Sequence, residues 1–297
     1  MTDHVVVTGA GGFAGGFISR ALAEKGFAVT AISRRAPDAP PVANLTWRLA
    51  DIGKPASLPP RFDALLHIAA EIPARCPDPD ALYRRNLEPS RNVFEQAVAA
   101  GAKTFVFTSS MSVYGAVGVA EVTEATPPQN PDPYGRAKRD SEDLLENLMR
   151  SGRCPSGLSI RLPGTVGKGS HHNFLSDALG RVLAGEPVRA NNPDALFNNI
   201  VYIGDLADFL AGWVRAPKPG YAVTNLAAPE PIAIREVFGL LFRTAGRPER
   251  LEVSEGGKKP FLINLDRAAA LGYRPRSVRA SVEAFVRDNL TDRPEQQ

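Results

Sequence analysis

The sequence predicts an α/β fold: a doubly wound parallel sheet with a smaller C-terminal lobe over it. Three observations carry this. Short apolar or β-branched runs alternate with longer helical patterns through residue 167. The runs are apolar almost throughout, as in strands covered on both faces. The first strand-to-helix junction is a glycine-rich loop.

Taken in order, "HVVVTG" (4–9) reads as a buried strand, and a helix follows from about Ala14 to Lys25. "FAVTAISR" (27–34), "LTWRLAD" (45–51) and "FDALLHIAA" (62–70) are the next three strands. A long helix spans 82–101 and ends at glycine, a usual stop signal. "KTFVFTSS" (103–110) is a fifth strand, a helix carries Tyr134 and Lys138 to about Arg150, and "GLSIRLPGTVG" (157–167) is a sixth strand. Beyond Gly167 the rhythm loosens. One helix is expected near 174–184, a strand entering a helix at 199–214, a strand at 222–228, and two amphipathic helices around 234–246 and 281–290. The expected division is a dinucleotide-type domain over 1–167 with 199–228 returning to it, a substrate-binding lobe from 168–198 and 229–290, and a frayed tail at 291–297.

Composition narrows the function classes. A net charge of +3 with no lysine or arginine run gives no nucleic-acid footprint. No apolar run reaches membrane-spanning length, and "HVVVTGAGG" lacks the layout of a signal peptide. Cys76 and Cys154 are isolated, which suits a reducing compartment. The expectation is a cytoplasmic protein with a small-molecule substrate and no nucleic-acid or membrane partner.

In "TGAGGFAGG", Gly9, Gly12 and Gly15 fall at T-G-x-x-G-x-x-G spacing. The first permits a tight turn, the second lets backbone approach a pyrophosphate, and the third lets helix pack closely on strand. Phe13 and Ala14 open the helix, whose free amides and positive dipole end suit phosphates. This marks a Rossmann-type dinucleotide site. An acid at the end of the second strand would bind a ribose 2′-hydroxyl, whereas arginine accommodates a 2′-phosphate. Here stand Ser33, Arg34 and Arg35, so the cofactor is NADP or NAD, with NADP favoured.

Tyr134 and Lys138 lie four residues apart, on one face of a helix. A lysine held there is expected to pull a phenol pKa, ordinarily about 10, toward neutrality. With the glycine loop, "TSSMSVYG" (108–115) and "YGRAK" (134–138) in order, the chain resembles the extended short-chain dehydrogenase/reductase superfamily. Within it, the likeness is to the NAD(P)-dependent sugar-nucleotide epimerase/dehydratase family, from Val5 to about Pro275. The resemblance implies a catalytic set of Ser110, Tyr134 and Lys138, with Asn86 in support. It also implies cofactor contacts at Asp51, Ile52, Ile68, Ala69, Ala70, Thr108 and Pro163. Tyr134 would exchange the proton of a secondary alcohol, Lys138 would lower its pKa and hold the nicotinamide ribose, and Ser110 would orient the reacting oxygen.

Family members that dehydrate or decarboxylate carry acids where this chain has Met111 and Ser112, which leaves simple redox or epimerisation. The pattern is nearest to 4-epimerases, so the expected activity is that of a nucleotide-sugar 4-epimerase or 4-ketoreductase. The substrate lobe departs from the family. Asn198 stands where a diphosphate-clamping arginine is usual, Lys258 and Lys259 replace a second arginine, and Gly164 replaces an asparagine. A lysine loses arginine's bidentate geometry, so an NADPH-dependent reductase of a non-nucleotide carbonyl stays open, as does a non-catalytic dinucleotide sensor. The expected substrate contacts are Ser110, Met111, Ser112, Gly164, Asn173, Asn198 and Lys258.

Other signals read as structural. His171 and His172 suit a polar loop better than a metal site, His67 a structural or cofactor-contacting place, and Trp213 the core. The resemblance implies a homodimer formed through helices 82–100 and 136–149. Their apolar stripes could equally pack inward.

Overall fold

The computed structural model describes residues 4–35, 40–254, 256 and 259–290. It divides into two compact units, one of Met1–Ala116, Pro127–Arg161 and Ala207–Thr224, the other of Val117–Thr126, Leu162–Leu206 and Asn225–Gln297.

The first unit is built on a seven-stranded sheet. Its strands are β1 (His4–Thr8), β2 (Ala28–Ser33), β3 (Leu45–Leu49), β4 (Ala64–His67), β5 (Thr104–Ser110), then Ser156–Leu162 and Gly220–Asn225. The spatial order runs β3, β2, β1, β4, β5, Ser156–Leu162, Gly220–Asn225. β1 pairs in parallel with both neighbours, Val6 opposite Thr30 on β2 and Leu65 on β4. The chain therefore moves outward from β1 to β3, then returns to the other side of β1 and continues to β5. That reversal is a topological switch point, where a crevice opens outside the carboxyl ends of β1 and β4.

The uniform apolar runs follow from burial on both faces. Val5, Val6 and Val7 of β1 are fully buried, and Phe94, Phe105, Phe107 and Leu145 share one core with them or with their neighbours. Each such side chain contributes about 1.5–3 kcal/mol by leaving water. Helix α1 (Phe13–Glu24) follows the glycine loop, and α2 (Pro79–Ala99) and α3 (Pro133–Arg150) follow β4 and β5. The start of α2 is earlier than 82 because Asp78 caps it, accepting from the amides of Asp80 and Ala81 with Pro79 at the first helical position. Its apolar stripe (Leu82, Val93, Phe94, Ala97) packs inward. Trp213 is buried, as expected.

The second unit has its own core, formed by helices Phe174–Leu183, Ile234–Thr244 and Val278–Leu290. Its strands are short and pair two by two. Gly164–Val166 lies parallel to Ile200–Tyr202, Val188–Asn191 to Leu251–Ser254, and Glu121–Val122 to Leu262–Ile263. The stretch 157–167, read from sequence as one strand, is broken at Pro163, which has no N–H to give a ladder. These two- to four-residue strands account for the loose rhythm beyond Gly167.

Candidate active site

The glycine loop closes the crevice at the end of β1. Gly9 has φ +74°, and a Cβ there would stand 2.6 Å from the backbone of Ala69, so the turn tolerates no larger residue. A Cβ on Gly15 would strike the Gly9 carbonyl at 2.3 Å, so glycine lets α1 close onto the loop. Gly12 is the N-cap of α1 and supplies no side-chain cap. The first-turn amides of Phe13 and Ala14 are therefore left for an outside acceptor. Ser33 ends β2 with its Oγ accepting from the Arg35 amide at 3.2 Å. Arg34 and Arg35 beside it are exposed. Asp51 closes a turn onto the Gly53 amide, and the Ile52 carbonyl is held by Asn92 Nδ2 at 2.6 Å.

Ile68, Ala69 and Ala70 form the segment after β4. Asn86 holds its far end: its Oδ1 accepts from the Glu71 amide at 3.1 Å and its Nδ2 donates to the Glu71 carbonyl at 3.0 Å. Asn86 thus acts on this segment through backbone hydrogen bonds.

Ser110 ends β5, and Tyr134 is the second residue of α3. A 3₁₀ turn, Met111–Tyr114, follows Ser110, whose Oγ accepts from the Ser112 amide at 3.1 Å and donates to the Ser112 hydroxyl at 3.2 Å. Asp132 caps α3 by accepting from the Gly135 amide at 2.7 Å. Two glycines absent from the expected site bring these parts together. A Cβ on Gly135 would stand 2.1 Å from the Ser112 carbonyl, and one on Gly115 (φ +65°) 2.1 Å from the Gln129 carbonyl. The YG pair in each motif was the available signal.

Lys138 is 2% exposed and donates to the Thr108 carbonyl at 2.7 Å. Its ammonium lies 4.6 Å from the Phe107 ring centre and 5.7 Å from that of Tyr134. Burial pulls its pKa down to about 7, opposed by the Glu142 charge. The Tyr134 phenol is pushed up to about 12 by burial and then by Asp132, against a lowering hydrogen bond with Ser110. Burial outweighs the hydrogen bond with Ser110 in this shift, and the Lys138 charge is not among its causes.

Behind Lys138 lies a buried polar cluster that sequence reading did not single out. Arg161 donates to Glu142 through Nε at 3.0 Å and Nη2 at 2.7 Å, and through Nη1 to the Tyr114 hydroxyl at 2.7 Å. A glutamate four residues after a lysine on a helix was the signal, but its arginine partner comes from a distant strand.

In the second unit, Asn198 is buried and clasps one residue. Its Oδ1 accepts from the Ile263 amide at 3.0 Å, and its Nδ2 donates to the Ile263 carbonyl at 2.9 Å. Asn173 caps helix Phe174–Leu183 and donates to the Thr165 carbonyl at 3.3 Å. Both side chains, expected at substrate, hold backbone in place. Around Gly164 a Cβ would meet nothing closer than 3.8 Å, so no steric need for glycine exists there. Lys258 lies outside the described residues. His171 bonds the Gly169 carbonyl, and among the described residues no group of three or more His, Cys, Asp or Glu could hold a metal ion. No described helix is long and apolar enough to cross a membrane.

Comparison with known proteins gives the family of the chain. Residues 5–227 match the model of the NAD dependent epimerase/dehydratase family. The chain belongs to that family. Among its relatives, D-erythronate dehydrogenase of Cupriavidus necator is 27% identical over 327 residues, spanning 97% of this chain and 98% of that one. The Escherichia coli O157:H7 N-acetyl-alpha-D-glucosaminyl-diphospho-ditrans,octacis-undecaprenol 4-epimerase is 24% identical, spanning 76% of this chain and 67% of that one. In fold, the chain is similar to a UDP-N-acetylglucosamine 4-epimerase from Methanobrevibacter ruminantium M1, with TM-score 0.84, 19% identity, and 99% and 100% of the two chains covered. Membership in the epimerase/dehydratase family makes this an NAD(P)-dependent enzyme of the extended short-chain type.

Proposed function

We propose that the chain is an NADP-dependent dehydrogenase or reductase of a small, non-nucleotide secondary alcohol or ketone. The observation that carries this is Asn198. At the place of the family's diphosphate-clamping arginine, a buried amide is engaged at both ends with Ile263. The full-length match to a D-erythronate dehydrogenase supports the same class, a hydroxylated acid or sugar-derived alcohol.

The residues fit a dinucleotide. The space kept open by Gly9 and Gly15 and the uncapped start of α1 suit a pyrophosphate. Ser33, Arg34 and Arg35, with no acid among them, suit an adenosine 2′-phosphate. Ile68, Ala69 and Thr108 would line the remainder. When bound, the nicotinamide ring supplies the partner for hydride transfer. The chain supplies the proton chemistry: Tyr134 Oη exchanges a proton with the substrate oxygen, and Ser110 Oγ hydrogen-bonds and orients that oxygen. Lys138, with one N–H on the Thr108 carbonyl, keeps its others for the Tyr134 side and the ribose.

The relatives that act on nucleotide sugars support a second reading, 4-epimerisation, which the absence of an acid at Met111 and Ser112 also allows. One experiment separates the two. The purified protein is titrated with NADPH and NADH, then incubated with hydroxy acids, polyols and UDP-hexoses. Net, substrate-dependent change in nicotinamide absorbance, abolished by Tyr134→Phe, is expected with a hydroxy acid or polyol. Arg34→Ala with Arg35→Ala should weaken NADPH at least tenfold and leave NADH unchanged, since about 1.5–3 kcal/mol rests on a charge-assisted contact. Conversion of a UDP-hexose to its 4-epimer with no net cofactor change would overturn the proposal.

A further inference from the structure

His67 stands at the carboxyl end of β4, beside the crevice, and is buried. Its Nδ1 lies 2.7 Å from Thr8 Oγ1, at the end of β1 directly before Gly9, and its Nε2 lies 3.0 Å from Ser90 Oγ on α2. The chain of contacts continues in both directions. Ser90 Oγ donates to the Asn86 carbonyl at 2.7 Å, and Thr8 Oγ1 accepts from the amides of Ile68 at 3.2 Å and Ala69 at 3.4 Å.

Counting donors assigns every proton. The Ser90 hydroxyl proton is on Asn86, so Ser90 must accept from His67, which places the imidazole proton on Nε2. Nδ1 is then an acceptor and takes the Thr8 hydroxyl proton, leaving the Thr8 lone pairs for the Ile68 and Ala69 amides. The same segment is held at its other end by Asn86, one helical turn before Ser90, through both backbone groups of Glu71. Its middle touches the turn at Gly9. We propose that His67 is a positioning residue: as a neutral Nε2–H imidazole bridging Thr8 and Ser90, it fixes residues 68–71 as one rigid wall of the dinucleotide crevice. This rests on the cofactor-binding reading above.

The surroundings agree. Phe107 stacks on the ring at 5.5 Å and Phe94 meets it edge-on at 5.6 Å. Thr108 Oγ1 donates to the His67 carbonyl, and the Lys138 ammonium is the nearby charge. Burial, then that charge, lowers the imidazole pKa to about 3. A second ring proton would face the Thr8 hydroxyl with no acceptor, and the wall would lose its anchor.

The test uses the full-length protein and Ser90→Ala, with Ser90→Thr as the conservative rescue. Nitrogen-15 NMR of the ligand-free wild type is expected to report a neutral Nε2–H imidazole for His67 from about pH 5 to about pH 8. Ser90→Ala is expected to speed amide exchange at Ile68–Glu71 and to weaken NADPH binding about tenfold, the cost of one unsatisfied buried donor. Ser90→Thr should restore both. An Nδ1–H tautomer, a protonated ring at about pH 6, or unchanged exchange in Ser90→Ala would overturn the proposal. The spectrum and the exchange need no ligand. If the wild type binds neither NADPH nor NADH, the function proposed above fails visibly on its own, separately from the tautomer and the exchange rates.

Discussion

Glu142 and Arg161 form a bidentate pair sealed from solvent, each side chain no more than 3% exposed, one helical turn beyond Lys138. The pair joins α3 to strand Ser156–Leu162, and the Tyr114 hydroxyl, in the turn after Ser110, also accepts from the guanidinium. The elements that present Ser110, Tyr134 and Lys138 are therefore tied together from behind by charge. Buried ion pairs of this kind contribute little net stability, but removing one partner strands the other.

Glu142→Gln removes the bidentate carboxylate from the buried Arg161 guanidinium. The expected loss is about 3–5 kcal/mol in denaturant unfolding. Glu142→Leu with Arg161→Met, which removes both charges, should cost clearly less than Glu142→Gln. Equal or greater loss in the double variant would mean that the pair contributes as an attraction rather than as mutual compensation.

The Lys138 ammonium makes stability depend on pH, and the sign can be worked out. The unfolded chain keeps this proton up to about its ordinary 10.5, whereas the folded protein releases it near about 7. Between those values the unfolded state holds more protons, so this group's contribution raises stability as pH rises from about 7 toward 10.5. Below about 7 the cost of a buried charge is present in full. Lys138→Met removes the dependence. The stability of the variant minus that of wild type should therefore be larger near pH 6.5 than near pH 9.5, to be read from denaturation midpoints. A difference independent of pH would mean that Lys138 keeps its proton in the folded protein throughout.

The fold was legible because parallel strands buried on both faces must be apolar along their whole length, as Val5–Val7 and Phe105–Phe107 are. The glycine loop was legible because Gly9 and Gly15 each answer a steric need that no other residue meets. The second unit was less so, since strands of two to four residues carry almost no period, and Pro163 splits what reads as one run. Asn198 and Asn173 were assigned to substrate because spacing cannot reveal that an amide already holds Ile263 or caps a helix. Likewise, sequence gives the i,i+4 neighbour but not the burial that pulls the Lys138 pKa down.

Gly135 offers the sharpest separation of catalysis from folding. It sits in the first turn of α3, directly after Tyr134, and a Cβ there would press 2.1 Å from the Ser112 carbonyl. The backbone of the turn Met111–Tyr114 is not the far end of a flexible side chain, so it must move bodily away from α3. Ser110, whose Oγ is bonded within that turn, moves with it and away from Tyr134. A displacement of about 1 Å between reacting groups costs on the order of a hundredfold in rate. Gly135→Ala should therefore lower kcat by about that factor. NADPH binding should change little, because the glycine loop and the segment after β4 are untouched. Gly180→Ala is the matched control: it too is helical, in Phe174–Leu183, and nothing lies within 4 Å of its would-be Cβ. It should keep full activity and gain about 0.5–1 kcal/mol from the lower entropy of the unfolded chain. If Gly135→Ala keeps wild-type kcat, Ser110 does not need its place beside Tyr134, and the serine's role in the chemistry falls.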